Sequence, residues 1–205
     1  EIIIDRAIRS IRSRFWLESN INFNGMDLRG WTDKRSKTYV MENQIPVKKD
    51  YYIVYDLNFH SFLTKTNNNL QFSRNTEGIY QEFGIKRSLS KKIQLTVKTV
   101  YYQDETLFDI TSKSVNAYGL KADVVKFFGD NGRIDCSVDY FSANGYPGMP
   151  PEALKGISIN ETLRASFAAT AMLDRSMSIN LSLSFINDDR YKNFLQMNGE
   201  LRAYF

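Results

Sequence analysis

Apolar and polar residues alternate one by one along most of this chain. Ile53, Tyr55, Leu57, Phe59 and Leu63 oppose Asp56, Asn58, His60 and Thr64. Ile93, Leu95, Val97 and Tyr101 oppose Gln94, Thr96 and Lys98, and Tyr118, Leu120, Ala122 and Val124 oppose Gly119, Lys121 and Asp123. The same pattern returns in Ile134, Cys136, Val138 and Tyr140, in Leu163, Ala165, Phe167 and Ala169, and in Ile179, Leu181, Leu183 and Phe185. The last residues repeat it: Leu195, Met197, Gly199, Leu201, Ala203 and Phe205 share one face, and Gln196, Asn198, Glu200 and Arg202 share the other. Period two predicts β-strands, and helical spacing fits none of these stretches.

The breaks between stretches alternate as well. Short ones fall at 88–91, 129–132 and 174–176, where Gly and Asn accept positive φ and Asp and Ser bond back to the backbone. Longer polar ones fall at 65–76, 104–112, 143–156 and 187–192. This is the rhythm of an up-and-down antiparallel barrel with tight turns at one end and looser loops at the other, and even closure gives about ten strands. Residues 37–44 form the faintest strand. Residues 1–12 read in two ways: Ile2-Ile3-Ile4 begins an extra strand, or the basic run 5–14 is a periplasmic segment. No domain boundary interrupts residues 1–205.

Alternation does not say which face meets water. A soluble barrel turns its apolar face inward, whereas a membrane barrel turns it toward lipid. Three features favour the membrane. The later stretches alternate over about nine to eleven residues, the length that crosses hydrocarbon at a tilt. The polar face carries both signs of charge, in Lys98, Lys121, Asp123, Arg133, Asp135, Asp139, Arg164, Glu200 and Arg202, as a polar lumen does. Phe59, Tyr101, Tyr118, Tyr140 and Phe185 collect toward the long-loop end of the apolar face, with Phe128 and Phe205 at the other rim, as in an interfacial girdle. Gln81, Lys126 and Glu161 break the apolar face near strand ends, where a charge costs little.

Composition narrows the picture further. The chain has 205 residues, 42% of them hydrophobic, and a mean hydropathy of −0.40. No run approaches the roughly 18 apolar residues of a spanning helix. The net charge of +4 is spread singly along strands rather than clustered, which argues against a nucleic-acid partner. Cys136 is the lone cysteine and His60 the lone histidine, so neither a disulfide framework nor a His/Cys metal site is expected, and no cofactor is implied. The pair Asp188-Asp189 reads as a solvated turn before it reads as a cation site.

The segment 150–205 resembles the C-terminal end of large outer-membrane β-barrel proteins of the Bacteroidota and Chlorobi type. Its polar loop is followed by the strand Ser158 to Phe167, a tight turn, the strand Met177 to Phe185, and the ending Gly199-Glu200-Leu201-Arg202-Ala203-Tyr204-Phe205. That ending is similar to the β-signal read by the barrel-assembly machinery. Gly199, Leu201, Ala203, Tyr204 and Phe205 would carry it. The resemblance implies an outer-membrane address in a Gram-negative-type bacterium. Its implied partners are the lipid bilayer with lipopolysaccharide, the assembly machinery and other envelope proteins. Such proteins are often longer, so the strands here could be part of a larger wall.

Three functions then compete. A non-enzymatic barrel could anchor or form a pore subunit of an envelope assembly, its lumen charges Arg133, Asp135, Asp139, Arg164, Glu200, Arg202, Lys98 and Lys121 pairing into a rigid plug. The same charges, together with His60 on the polar face, could line a small-solute channel. A barrel hydrolase would rest on His60, near Asp56 and Asn58, but no serine stands in a nucleophile motif, so no catalytic residue is expected. The Pro/Gly-rich stretch Gly145-Tyr-Pro-Gly-Met-Pro-Pro151 reads as an ordered outer loop that folds over the mouth or touches a partner.

Overall fold

A computed structural model describes residues 2–8, 11–27, 30–66, 74–108, 111–129, 131–150, 153–172 and 177–203. They form one antiparallel sheet of eleven strands in which every strand pairs with its neighbours in sequence. The strands are β1 (Ile2–Ile8), β2 (Ile11–Asp27), β3 (Gly30–Lys48), β4 (Tyr51–Thr66), β5 (Arg74–Ser90) and β6 (Ile93–Phe108). They continue as β7 (Thr111–Phe128), β8 (Gly132–Gly145), β9 (Asn160–Met172), β10 (Met177–Asn187) and β11 (Phe194–Ala203). The ladder runs from β1 to β11, and no pairing joins those two strands among the described residues.

The two faces divide as the alternation requires, and the exposed face is the apolar one. Phe83, Ile85, Val97, Leu120, Val138, Leu181, Leu195 and Met197 all lie open on the outside. Glu82, Asp104, Thr76, Thr106, Thr162 and His60 are enclosed. A water-soluble sheet has the reverse arrangement, because exposing so much apolar surface to water is unfavourable. This inside-out distribution is what a wall facing lipid needs.

Register locates an outer apolar band. Phe128 marks one rim, and Lys126, Val124, Ala122 and Leu120 lead to Tyr118, whose ring packs 5.0 Å from Tyr101 on the neighbouring strand. At about 3.4 Å per residue and a barrel tilt, these eleven or so positions span about 25 Å, the height of a barrel's lipid-facing band. The exceptions sit at its margins: Lys126 rests its ammonium 4.7 Å from the Phe128 ring, and Glu161 accepts a hydrogen bond from Tyr140 at 3.0 Å.

Three expectations change. Of the two readings of the first residues, the extra strand holds: Ile2 to Ile8 pair with Leu17 to Ile11, so the described residues of the basic run lie in strands, and the count is eleven rather than about ten. The faint strand at 37–44 is the middle of β3, which is 19 residues long. The long loop expected at 104–112 is absent, because β6 and β7 stay paired as far as Phe108 and Thr111. Here both faces are polar, Gln103 and Glu105 outside and Asp104 and Thr106 inside, so apolar/polar alternation could not reveal the strand. The sheet thus projects beyond its apolar band at the loop end, and the aromatics Tyr101 and Tyr118 lie mid-strand rather than at the loops. The turns at the opposite end use left-handed Asp50 (φ 67) and Gly129 (φ 61).

Candidate functional site

Inward-facing side chains from β4 to β9 converge with the loop between β8 and β9. In register, Lys98 of β6 faces Lys121 of β7. Like charges opposite one another destabilise a sheet unless an anion lies between them. Glu82 of β5 supplies it: Lys121 Nζ donates to Oε1 at 2.6 Å, Lys98 Nζ to Oε2 at 3.2 Å, and the Tyr102 hydroxyl to Oε1 at 2.5 Å. Lys98 also donates to Asp56 of β4 at 2.5 Å. It can lean that far because Gly84 lies beside it, where a Cβ would come within 2.8 Å of Lys98 Cγ.

Nearer the loop end, Asp104 is fully buried. Its Oδ2 accepts the Tyr80 hydroxyl at 2.9 Å and the backbone N–H of Leu154 at 2.5 Å. Its Oδ1 lies 2.8 Å from His60 Nε2, off the line of a hydrogen bond. Both groups meet above Gly78, where a Cβ would overlap Asp104 Oδ1 and approach His60 Cε1 within 2.6 Å.

The described residues of the Pro/Gly-rich stretch are mostly exposed, and the turn that follows it packs inward. A single 3-10 turn, Ala153–Gly156, places Ala153 and Leu154 against Val100, Tyr102, Val115, Ala117 and Phe141, and Ile157 joins the same cluster. Leu154 (φ 51), Lys155 (φ 53) and Gly156 (φ 73) are all left-handed, a conformation that costs non-glycine residues energy and persists only when neighbours enforce it. The enforcement is visible. Asp104 holds the Leu154 N–H, Tyr80 accepts the Lys155 N–H at 3.3 Å, and Arg164 and Arg190 both donate to the Gly156 carbonyl, at 2.8 Å and 2.5 Å. Lys155 ends between the rings of Tyr80 and Tyr102, 4.9 Å and 4.8 Å from their centres and 3.6 Å from Glu82. Withdrawal from water holds its ammonium below the ordinary lysine range, with Glu82 pulling the other way.

The plug leaves space beside it. One cavity of about 390 Å³ lies between the plug and the β3–β4 wall, bounded by Lys155, Tyr80, Asn58 and Thr38. A second of about 330 Å³ continues toward the tight turns, bounded by Lys86, Thr96 and Asp123. The two share Glu42, Asp56 and Lys98 on their walls.

The residues marked by the sequence fall into separate groups. Lys98 and Lys121 meet at Glu82, and Asp139 stands in register between Lys121 and Arg164. Arg133 bonds Asp135 two positions along its own strand, and Arg202 likewise bonds Glu200, both pairs solvent-exposed and apart from the cluster. Gly199, Leu201 and Ala203 lie in β11, whereas Tyr204 and Phe205 lie outside the described residues. His60 meets Asp104 of β6 rather than Asp56, and no serine bonds it among the described residues. Asp188 accepts the backbone N–H groups of Arg190 and Tyr191, and Asp189 accepts Asn160, so this pair is turn chemistry. Among the described residues no cluster could hold a metal. Glu82 was within reach of sequence reasoning, since it shares the inward parity of Tyr80. Lys155 carried no signal, because nothing local shows that a loop turns into a lumen.

No family model matches this chain, and no curated protein matches it. Among solved structures, it is similar to two of the Pseudomonas putida toluene transporter TodX. One has a TM-score of 0.55 at 5% identity, over 95% of this chain and 71% of that one. The other has a TM-score of 0.54 at 5% identity, over 89% and 66%. At that identity the likeness is one of fold. The chain has the all-β antiparallel fold of those outer-membrane β-barrel structures, and both are of a transporter.

Proposed function

We propose that this protein is an outer-membrane channel for small polar solutes, narrowed from within by the turn Ala153–Gly156. The observation that carries the reading is the pair of cavities beside the plug, whose walls share the charged residues Glu42, Asp56 and Lys98. A purely structural wall has no need of that space. The likeness to a transporter fold supports a channel above an anchor. The solutes differ in kind from toluene, because the walls of this passage carry carboxylates, ammonium groups and amides. Lys98, Lys121, Asp139 and Arg164 are proposed as its polar lining. Arg133, Asp135, Glu200 and Arg202 are proposed as rim pairs.

The anchor reading draws its support from the dense pairing around Glu82, which rigidifies one side of the lumen. Purified protein in a planar bilayer separates the two. Discrete conductance steps in potassium chloride support the channel, and a silent, correctly folded insertion supports the anchor. The proposed address is the outer membrane of a Gram-negative-type bacterium, with lipid and lipopolysaccharide around the apolar band. Gly199, Leu201, Ala203, Tyr204 and Phe205 are proposed as the signal to the assembly machinery, and envelope proteins as further partners. Kinship with the Bacteroidota and Chlorobi type of barrel rests on the succession of loop, strands and ending in 150–205.

A further inference from the structure

Strand pairing gathers the chain's excess positive charge at the tight-turn end. The Ser88 N–H bonds the Asp50 carbonyl at 2.9 Å and the Phe127 N–H bonds the Lys92 carbonyl at 2.8 Å, so the turns after β3, β5 and β7 stand side by side. At this end Lys48, Lys49, Arg87, Lys91, Lys92 and Lys126 are exposed, and none of them is in a salt bridge among the described residues. The described carboxylates beside them are Asp50 and Asp135, and Arg133 holds the second at 2.5 Å. Lys86 and Asp123, farther in, line the lumen. The loop end has no such excess, because Glu77, Glu105, Glu161, Asp188 and Asp189 intersperse its lysines and arginines.

Two of these cations point outward. Arg87 shares the parity of Phe83 and Ile85, and Lys126 that of Leu120 and Val124, all open on the apolar face. Each lies over an aromatic ring at the rim of the band: the Arg87 guanidinium is 4.8 Å from the centre of Tyr51 and the Lys126 ammonium 4.7 Å from that of Phe128. Cations and aromatic rings paired at the edge of hydrocarbon sit at the level of lipid headgroups. The short turns of an outer-membrane barrel face the periplasm, where the leaflet is phospholipid. Resting on the outer-membrane reading but not on the channel, we infer that the tight-turn rim is a docking surface for anionic glycerophospholipid. Arg87 and Lys126 each hold a headgroup phosphate, and the acyl chains lie along Ile85 and Val124. The lysines of the turns add attraction for a headgroup of net negative charge, which a zwitterionic one lacks.

The test is native mass spectrometry of the full chain, folded in mild detergent and titrated with phosphatidylglycerol or with phosphatidylcholine of the same acyl chains. Phosphatidylglycerol should bind about twenty-five-fold more tightly, about fivefold for each of the two outward cations, since a cation near a membrane surface contributes about 1 kcal/mol. Arg87→Gln/Lys126→Gln should abolish that preference, and Arg87→Lys should keep most of it. Lys113→Gln/Lys192→Gln removes equal charge at the loop end and should leave the preference unchanged. Heat-modifiable mobility in gels reports that each variant is folded. Equal affinity of the wild type for the two lipids, or equal loss in both double variants, overturns the inference and leaves the membrane reading standing. Tighter binding of lipid A than of phosphatidylglycerol, lost in the first double variant, overturns the choice of phospholipid. Recovery of the folded chain in buffer without detergent overturns the membrane reading and this inference with it.

Discussion

Replacing Asp104 by alanine should undock the plug. The carboxylate accepts two charge-assisted hydrogen bonds, from the Tyr80 hydroxyl and the Leu154 N–H, in a fully buried position. Bonds of that kind contribute about 1.5–3 kcal/mol each, and losing the acceptor leaves a buried N–H unpaired on a backbone already in a left-handed conformation. Removing a buried carboxylate also removes its desolvation cost, which offsets part of the loss. A net loss of about 3 kcal/mol corresponds to roughly a hundredfold shift in the docking equilibrium of the loop. Lys155 makes the shift measurable, because it is a tryptic site within the plug. Folded wild-type protein in detergent should resist cleavage after Lys155. Asp104→Ala should be cut there while the eleven-stranded wall keeps its heat-modifiable mobility in gels, and its bilayer conductance should rise. Gly78→Ala should reproduce the effect, since its Cβ would overlap Asp104 Oδ1. Unchanged protection of Lys155 in both variants, with the wall intact, would refute the account of how the plug is held.

Other predictions concern the wall. Glu82→Gln leaves Lys98, Lys121 and Lys155 without their common anion. It should cost about 3 kcal/mol of unfolding free energy, part of which Lys121→Gln restores in the double variant. Val97→Arg and Leu107→Arg change residues that are equally exposed, at 45% and 46%, but only Val97 lies mid-band. The first should cost about 2–4 kcal/mol in lipid and the second within about 0.5 kcal/mol, as read from urea titrations in vesicles. Equal costs would mean that the band does not face hydrocarbon.

Much of the wall was legible because period two is a local property. Val97, Leu120, Val138 and Leu181 took the outward face that their spacing assigns, and Lys98, Lys121, Asp139 and Arg164 took the inward one. What escaped was non-local. The pairing of Lys98 and Lys121 through Glu82 depends on the register of three strands, which the sequence does not state. The strand around Asp104 was hidden because it is polar on both sides, outside as it leaves the lipid band and inside where it holds the plug. The partner of His60 lies 44 positions away, across β5, and is visible only once Gly78 is known to sit beneath both. Lys155 belongs to a loop whose inward turn is enforced by four residues spread from Tyr80 to Arg190.

Every reading of the lumen depends on the apolar face meeting lipid, and Cys136 reports on it without any substitution. It is the lone cysteine, and it is free and exposed on the outward face, between Ile134 and Val138. In the folded protein reconstituted in vesicles, a charged thiol reagent should leave Cys136 unmodified, a lipid-soluble maleimide should label it, and unfolding in detergent should make both react. Rapid modification by the charged reagent in folded, membrane-inserted protein would place this face in water and contradict the account.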